Sequence, residues 1–309
     1  MNRLTDLLGD AAGNLVVAGY SAGWGVSKRL PEPAARAAFS TVADIAWRQR
    51  GRGVRQLEAN LARACPSADS EQLRRLSKRA MRSYLRYWCE AFRLPVWSPA
   101  ELVGRIETVG EGPLRAAYAR GNGVLIALPH MANWDHAGAW ACLTGMPLVT
   151  VAERLRPEPL FDRFVAYRES LGMEVVPLSG DGNAFATLAQ RLRAGRLVAL
   201  VSDRDLTSTG VEVSLLGERA RLPAGPAALC RVTGATLLAA TLSFDGPRQR
   251  IWFHDPIPSR PGREGLVAVT QQLADAFSAG IRAHPHDWHM LQRVFTADLP
   301  GSSRSGPPP

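Results

Sequence analysis

Through the first hundred residues hydrophobic positions recur every three to four places. Beyond about residue 103 they fall instead into short apolar runs separated by helical patterns. That change predicts an N-terminal helical region followed by alternating strands and helices. Residues 4–27 are glycine-rich and largely apolar, which predicts a helix or helix pair ended by Lys28-Arg29-Leu30-Pro31. Helical periodicity runs through 33–64 and again through 70–92, where Leu73, Leu76, Met81, Tyr84, Leu85 and Trp88 recur. Strands are predicted at 106–109, 123–128, 147–152, 174–177, 196–202, 211–216, 237–243 and 249–253. Helices are predicted at 113–120, 137–143, 160–171, 183–193, 226–231 and 266–283. Pro113 falls in a first helical turn, where its missing N–H costs nothing. Repeated strand–helix–strand units predict an α/β fold with a mostly parallel central sheet flanked by helices, plus an N-terminal helical extension. The expected boundaries are an extension over 1–98, packed as one domain with a core over 99–300, and a disordered tail over 301–309.

One strand end carries the strongest chemical signal. Val124-Leu125-Ile126-Ala127-Leu128 is apolar throughout, as in a strand buried on both faces, and Pro129 stops it just before His130. In open α/β sheets chemistry collects past the carboxyl ends of strands. A neutral imidazole there can take a proton from a hydroxyl, and a carboxylate can fix its tautomer. Asp135 is the first candidate for that carboxylate. Positions five apart on a helix diverge by about 140°, so the pair can meet only if His130 lies in the loop and Asp135 in the first helical turn. A lone histidine is more often structural than catalytic; the proline break and the glycines at 121 and 123 are what favour a site here. The aromatic group Tyr84, Tyr87, Trp88, Phe92 and Trp97 reads as core or interface rather than as a cofactor box.

Composition narrows the partners. The formal charge is +9, carried almost wholly by arginine, with lysine only at Lys28 and Lys78. Such an excess fits nucleic acid, an anionic membrane surface or a phosphate-bearing cofactor. No zinc finger, helix-turn-helix pattern or dense basic tract points to nucleic acid. Cys65, Cys89, Cys142 and Cys230 form no Cys-x2-Cys pair, which predicts neither zinc site nor disulfide scaffold and favours a reducing compartment. His284, His286 and His289 cluster, but Pro285 breaks any helical register between them and no acidic partner motif accompanies them, so no metal is expected. The N-terminus shows no cleavable-signal pattern, and the apolar stretch 11–26 falls short of the roughly 20 residues needed to span a bilayer. Its expected role is packing against the domain or lying in a membrane interface with the following basic residues at the headgroups.

His-x4-Asp after a buried strand resembles the signature of glycerolipid and lysophospholipid acyltransferases. Further segments are similar to the branch containing bacterial lipid A late acyltransferases and phosphatidylinositol mannoside acyltransferases. These are the strand 149–154 delivering Glu153 and Arg154, the helix 164–171 carrying Arg168, and the block Ala199-Leu200-Val201-Ser202-Asp203-Arg204-Asp205. That block continues through Gly210-Val211-Glu212-Val213 to Leu222-Pro223, and the chain closes on Asp287-Trp288-His289-Met290-Leu291-Gln292-Arg293. Asp203-Arg204-Asp205-Leu206 looks closer to the mannoside enzymes than to the lipid A enzymes.

The resemblance implies an acyl-CoA-dependent O-acyltransferase moving palmitoyl from palmitoyl-CoA to a mannose hydroxyl of a phosphatidylinositol mannoside, an anionic glycolipid. It also implies a peripheral position at the cytoplasmic face of the plasma membrane. His130 is the expected general base, with no covalent acyl-enzyme, since no Gly-x-Ser-x-Gly elbow is present. Asp135, Asp205 and Glu212 compete to orient its ring. Glu153, Arg168 and Arg204 are expected to bind substrate, or to form surface ion pairs. No cofactor is expected beyond acyl-CoA as co-substrate. Alternative readings are an acyltransferase for lipid A or another glycolipid or lysophospholipid, a lipid esterase, and a non-catalytic lipid-binding protein.

Overall fold

The computed structural model describes Gly25 and residues 27–153, 158–178, 183–205 and 209–299. The apolar stretch before Gly25, Arg154, Leu206 and the tail 301–309 lie outside those residues. The N-terminal region holds α1 (Glu32–Arg48), α2 (Arg52–Ala64), α3 (Ser70–Arg93) and α4 (Pro99–Gly104). The periodic run 33–64 is thus two helices rather than one, broken where Arg50 takes a positive φ of 47°. Helix α3 opens with a capping box in which Asp69 and Gln72 each accept the other's backbone N–H. Helix α4 opens with another, from Ser98 and Glu101, and was not anticipated from the periodicity.

Beyond α4 the order is β1 (Ile106–Val109), α5 (Glu111–Ala119), β2 (Val124–Leu128), α6 (Trp134–Leu143), β3 (Leu148–Glu153), α7 (Glu158–Ser170) and β4 (Glu174–Leu178). It continues with α8 (Asn183–Arg193), β5 (Leu197–Val201), the hairpin β6 (Val211–Leu215) and β7 (Glu218–Leu222), α9 (Gly225–Thr233), β8 (Thr236–Asp245), β9 (Arg248–Phe253) and α10 (Gly262–Ala283). Seven strands form one sheet in the order β1-β9-β8-β2-β5-β3-β4, with only the β8–β9 pair antiparallel. This is the expected α/β class, a mostly parallel sheet flanked by helices.

Strand β2 lies between β5 and β8 and is buried at all five positions. Each large apolar side chain fully buried there contributes about 1.5–3 kcal/mol. Gly123 enters it at φ 76°, where a Cβ would sit 2.2 Å from the Leu192 carbonyl oxygen, so only glycine fits that turn. Tyr87, Ala91 and Leu94 join the core built on the sheet, so α3 shares that core.

Candidate active site

A tightly tied loop joins β2 to α6. Met131 donates its N–H to the Pro129 carbonyl at 2.7 Å, and Ala132 sits at φ 45°. Asn133 then caps α6 by accepting the His136 N–H at 3.0 Å. The Gln249 side chain holds the Asn133 backbone at both ends, at 2.8 and 2.9 Å. His130 therefore lies in the loop and Asp135 in the first turn of α6, the arrangement their spacing required.

They do not form the expected pair. The carboxylate on the imidazole is Asp203, at the end of β5. Its Oδ1 lies 2.5 Å from His130 Nδ1, and its Oδ2 accepts the His130 N–H at 3.0 Å and the Trp288 indole N–H at 2.9 Å. The parallel register explains the meeting. Val124 faces Leu197 and Leu128 faces Val201, and continuing that register two residues brings His130 level with Asp203. Asp203 is fully buried; burial opposes its charge, but the imidazole, the Trp288 indole and the His130 amide outweigh it and hold the carboxyl below the usual range. An ionised Asp203 puts the proton on His130 Nδ1 and leaves the lone pair on Nε2.

Asp135 has both oxygens engaged elsewhere. Tyr87 donates to Oδ2 at 2.9 Å and Arg168 Nε to Oδ1 at 2.8 Å. Burial and the Asp135 charge push the Tyr87 phenol well above its ordinary value, which keeps it a donor. Burial works against the Arg168 charge too, yet Asp135 raises its pKa overall. Asp135 thus braces α3, α6 and α7 together rather than orienting the imidazole. Asp205 accepts the Gly210 N–H at 2.7 Å. Glu212 stands exposed on β6, 3.6 Å from Arg219 of β7. Neither reaches the imidazole, which already has its carboxylate from a residue two places before Asp205. Glu153 pairs with Arg204 at 3.5 Å, not with Arg168.

His130 opens onto a cavity of about 800 Å³ whose walls are mainly apolar. Ile126 and Leu128 of β2 form one side and Ala137, Trp140 and Ala141 of α6 another, while Glu153, Arg168 and Arg204 also contribute to the wall. Tyr84, Tyr87, Trp88 and Phe92 line it from α3. Trp134 stacks on Tyr87 at 4.1 Å between centroids and presents its edge to His130 at 5.3 Å. The volume lies within the about 300–1,000 Å³ typical of ligand pockets. Such a space beside a dyad suits a long apolar group whose reactive end lies at His130.

The remaining histidines do other work. His136 is buried and hydrogen-bonded to the Leu102 carbonyl at 2.8 Å. His289 lines the cavity, with Nε2 2.9 Å from Ser83 Oγ; burial, then the neighbouring His130 and His286, push its pKa down to about 3. Ser202 turns its hydroxyl to the Leu200 carbonyl at 2.8 Å and is buried, so it is not placed as a nucleophile for His130. Among the described residues no group of three His, Cys, Asp or Glu side chains could hold a metal ion.

Residues 13–297 match the family model described as bacterial lipid A biosynthesis acyltransferase. Phosphatidylinositol mannoside acyltransferases from two strains of Mycobacterium tuberculosis are each 46% identical over 293 residues, covering 93% of this chain and 90% of theirs. One from Mycolicibacterium smegmatis is 41% identical over 294 residues, covering 95% of each chain. The His130–Asp203 pair, the apolar cavity beside it and the span of these matches lead to one conclusion: the chain belongs to the bacterial lipid A biosynthesis acyltransferase family and is an acyltransferase.

Proposed function

We propose that the protein transfers palmitoyl from palmitoyl-CoA to a mannose hydroxyl of a phosphatidylinositol mannoside, with His130 as general base, at the cytoplasmic face of the plasma membrane. The observation that carries the chemistry is His130 Nδ1 on the buried Asp203 carboxylate at the rim of an apolar cavity. The relatives at 41–46% identity over nearly the whole chain support this acceptor over lipid A or a lysophospholipid.

The acyl chain lies in the cavity with its thioester carbonyl at His130. Nε2 takes the proton of the acceptor hydroxyl as that oxygen attacks the carbonyl carbon. Asp203 stabilises the imidazolium that forms, as the C–S bond breaks the proton returns to the departing CoA thiolate, and the ester remains. General-base help of this kind is worth about 10²–10⁴-fold. No acyl-enzyme is needed, because a thioester is already electrophilic and the hydroxyl is the nucleophile. Arg204, paired to Glu153 at the cavity wall, offers a cation for the CoA phosphates, whereas Arg168 is committed to Asp135.

Purified protein incubated with palmitoyl-CoA and separate mannosylated phosphatidylinositol, lipid A precursor and lysophospholipid acceptors tests the reading. Transfer confined to the mannosylated lipid is the expected result; preferential transfer to another acceptor overturns the choice of substrate. His130→Ala that keeps its fold by circular dichroism yet retains more than about a tenth of the rate overturns the general-base role.

A further inference from the structure

The residues that hold the dyad are not confined to the two strands that carry it. Asp287, Trp288 and His289 run as a strap across the loop after β2. Ala132 donates its N–H to the Asp287 carbonyl at 2.9 Å, and His289 donates its own to the His130 carbonyl at 2.8 Å. Met131 and Trp288 form an antiparallel bridge between these hydrogen bonds. The strap is itself anchored. Ser83 donates to Asp287 Oδ1 at 2.6 Å and the Phe244 N–H to Oδ2 at 2.9 Å. Trp288 is completely buried, and the indole N–H ends on Asp203 Oδ2 at 2.9 Å.

We propose that Trp288 is a positioning residue of the acyl-transfer site: its indole N–H fixes the Asp203 carboxylate so that Oδ1 alone faces His130 Nδ1. The proposal rests on the general-base reading of His130. A carboxylate rotates freely about its Cβ–Cγ bond unless both oxygens are held. Here Oδ2 has two donors from different elements, the His130 amide and the Trp288 indole, and Oδ1 is left for the imidazole. The indole also draws part of the carboxylate charge to itself. Without that bond Oδ2 keeps only the His130 amide, the carboxylate is free to tilt and Oδ1 no longer meets Nδ1 squarely, so proton transfer through the imidazole slows.

Other groups near the imidazole do not supply this control. His289 adjoins it from the strap and is held neutral by burial, Asp135 and Arg168 neutralise each other, and Glu153 and Arg204 do the same farther along the wall. A bulky indole could also serve as packing alone, and the two roles separate by experiment.

Replacing Trp288 by 3-benzothienylalanine, through nonsense suppression in the full chain, puts sulfur where the N–H was and keeps the shape. The expected result is a fall in kcat of about tenfold or more, the scale of losing a hydrogen bond to a charged group. KM for palmitoyl-CoA should stay unchanged, because Trp288 is not among the residues that line the cavity. Trp288→Phe should reproduce both effects and add a loss of thermal stability. A benzothienyl enzyme with the parent kcat overturns the proposal and leaves Trp288 as packing. Failure of the underlying reading looks different: His130→Ala would then remain active, whatever the residue at 288.

Discussion

Asp203 gains its place from burial that would be prohibitive for a lone carboxylate. No water reaches it, so its charge persists only because an imidazole, an amide and an indole all face it. Asp203→Asn presents an amide of the same size that cannot pair with an imidazolium and can impose the wrong tautomer. Its kcat should fall by about 10²–10⁴-fold, as in hydrolase triads that lose their acid. Steady-state transfer rates on folded protein check this, and retention of more than about a tenth of the parent rate would remove Asp203 from the mechanism. His289 carries a second consequence. Burial lowers its pKa from 6.5 in an unfolded chain to about 3 in the fold. Between those values the unfolded chain binds a proton that the folded one refuses. The stability from keeping His289 neutral is therefore complete above pH 6.5 and drains away as pH falls towards 3, by up to about 1.4 kcal/mol per pH unit. The Gln variant lacks this titration, so its unfolding free energy, measured by denaturant melts, should fall less steeply with acid over that window. Parallel curves for the two proteins would show that His289 does not titrate there.

The elements that bring these residues together were unequally legible in the chain. All seven strands of the main sheet were legible, β2, apolar and buried at every position, most clearly, and the short Ile106-Glu107-Thr108-Val109 of β1 least so. β7 was missed because Glu218-Arg219-Ala220-Arg221-Leu222 sends only Ala220 and Leu222 inward, too short a pattern to separate from a loop. Helix α4 is also short, although Ser98 and Glu101 spell out its capping box. His130 was legible because Pro129 stops β2 just ahead of it. Its partner was not: Asp203 was no candidate beside Asp135, Asp205 and Glu212, because which acid comes level with His130 depends on which strand neighbours β2 and in what register. Neighbours in a parallel sheet are set by crossovers, which local patterns do not encode. Asp135 misled for a related reason: the spacing put it in the right turn of α6, but α7 and α3 supplied Arg168 and Tyr87 from far along the chain. The geometry of β2 makes a prediction at this scale. Gly123→Ala forces a Cβ onto the Leu192 carbonyl at φ 76°, a strain of about 1–3 kcal/mol before any clash is relieved. The melting temperature should fall by several degrees while the rate per folded molecule stays near the parent, since the dyad lies at the other end of the strand. An unchanged melting temperature would mean that the turn relaxes without cost.

At the scale of the whole molecule, the proposed acceptor sets the last requirement. A mannosylated phosphatidylinositol is anionic and does not readily leave a bilayer, so an enzyme that acylates it must approach the surface. Among the described residues no helix is long and apolar enough to cross a membrane. The expected approach is by surface attraction and shallow insertion, for which the chain offers a net charge of +9 and the apolar sequence 4–26 followed by Lys28 and Arg29. Each basic residue close to an anionic surface contributes about 1 kcal/mol, and the attraction fades beyond a Debye length of about 8–10 Å. Sedimentation with phosphatidylinositol-containing vesicles should therefore weaken as salt rises, and binding to neutral phosphatidylcholine should be poor throughout. A deletion that probes the apolar sequence must stop at residue 24, because Arg93 donates to the Ser27 and Leu30 carbonyls and a longer cut would strip partners from a buried guanidinium. That shortened protein should lose vesicle binding while keeping turnover on a detergent-solubilised acceptor, since His130, Asp203 and the described residues that line the cavity all lie within the chain that remains. Equal binding to neutral and anionic vesicles, indifferent to salt, would deny the positive charge its part in bringing the enzyme to its lipid.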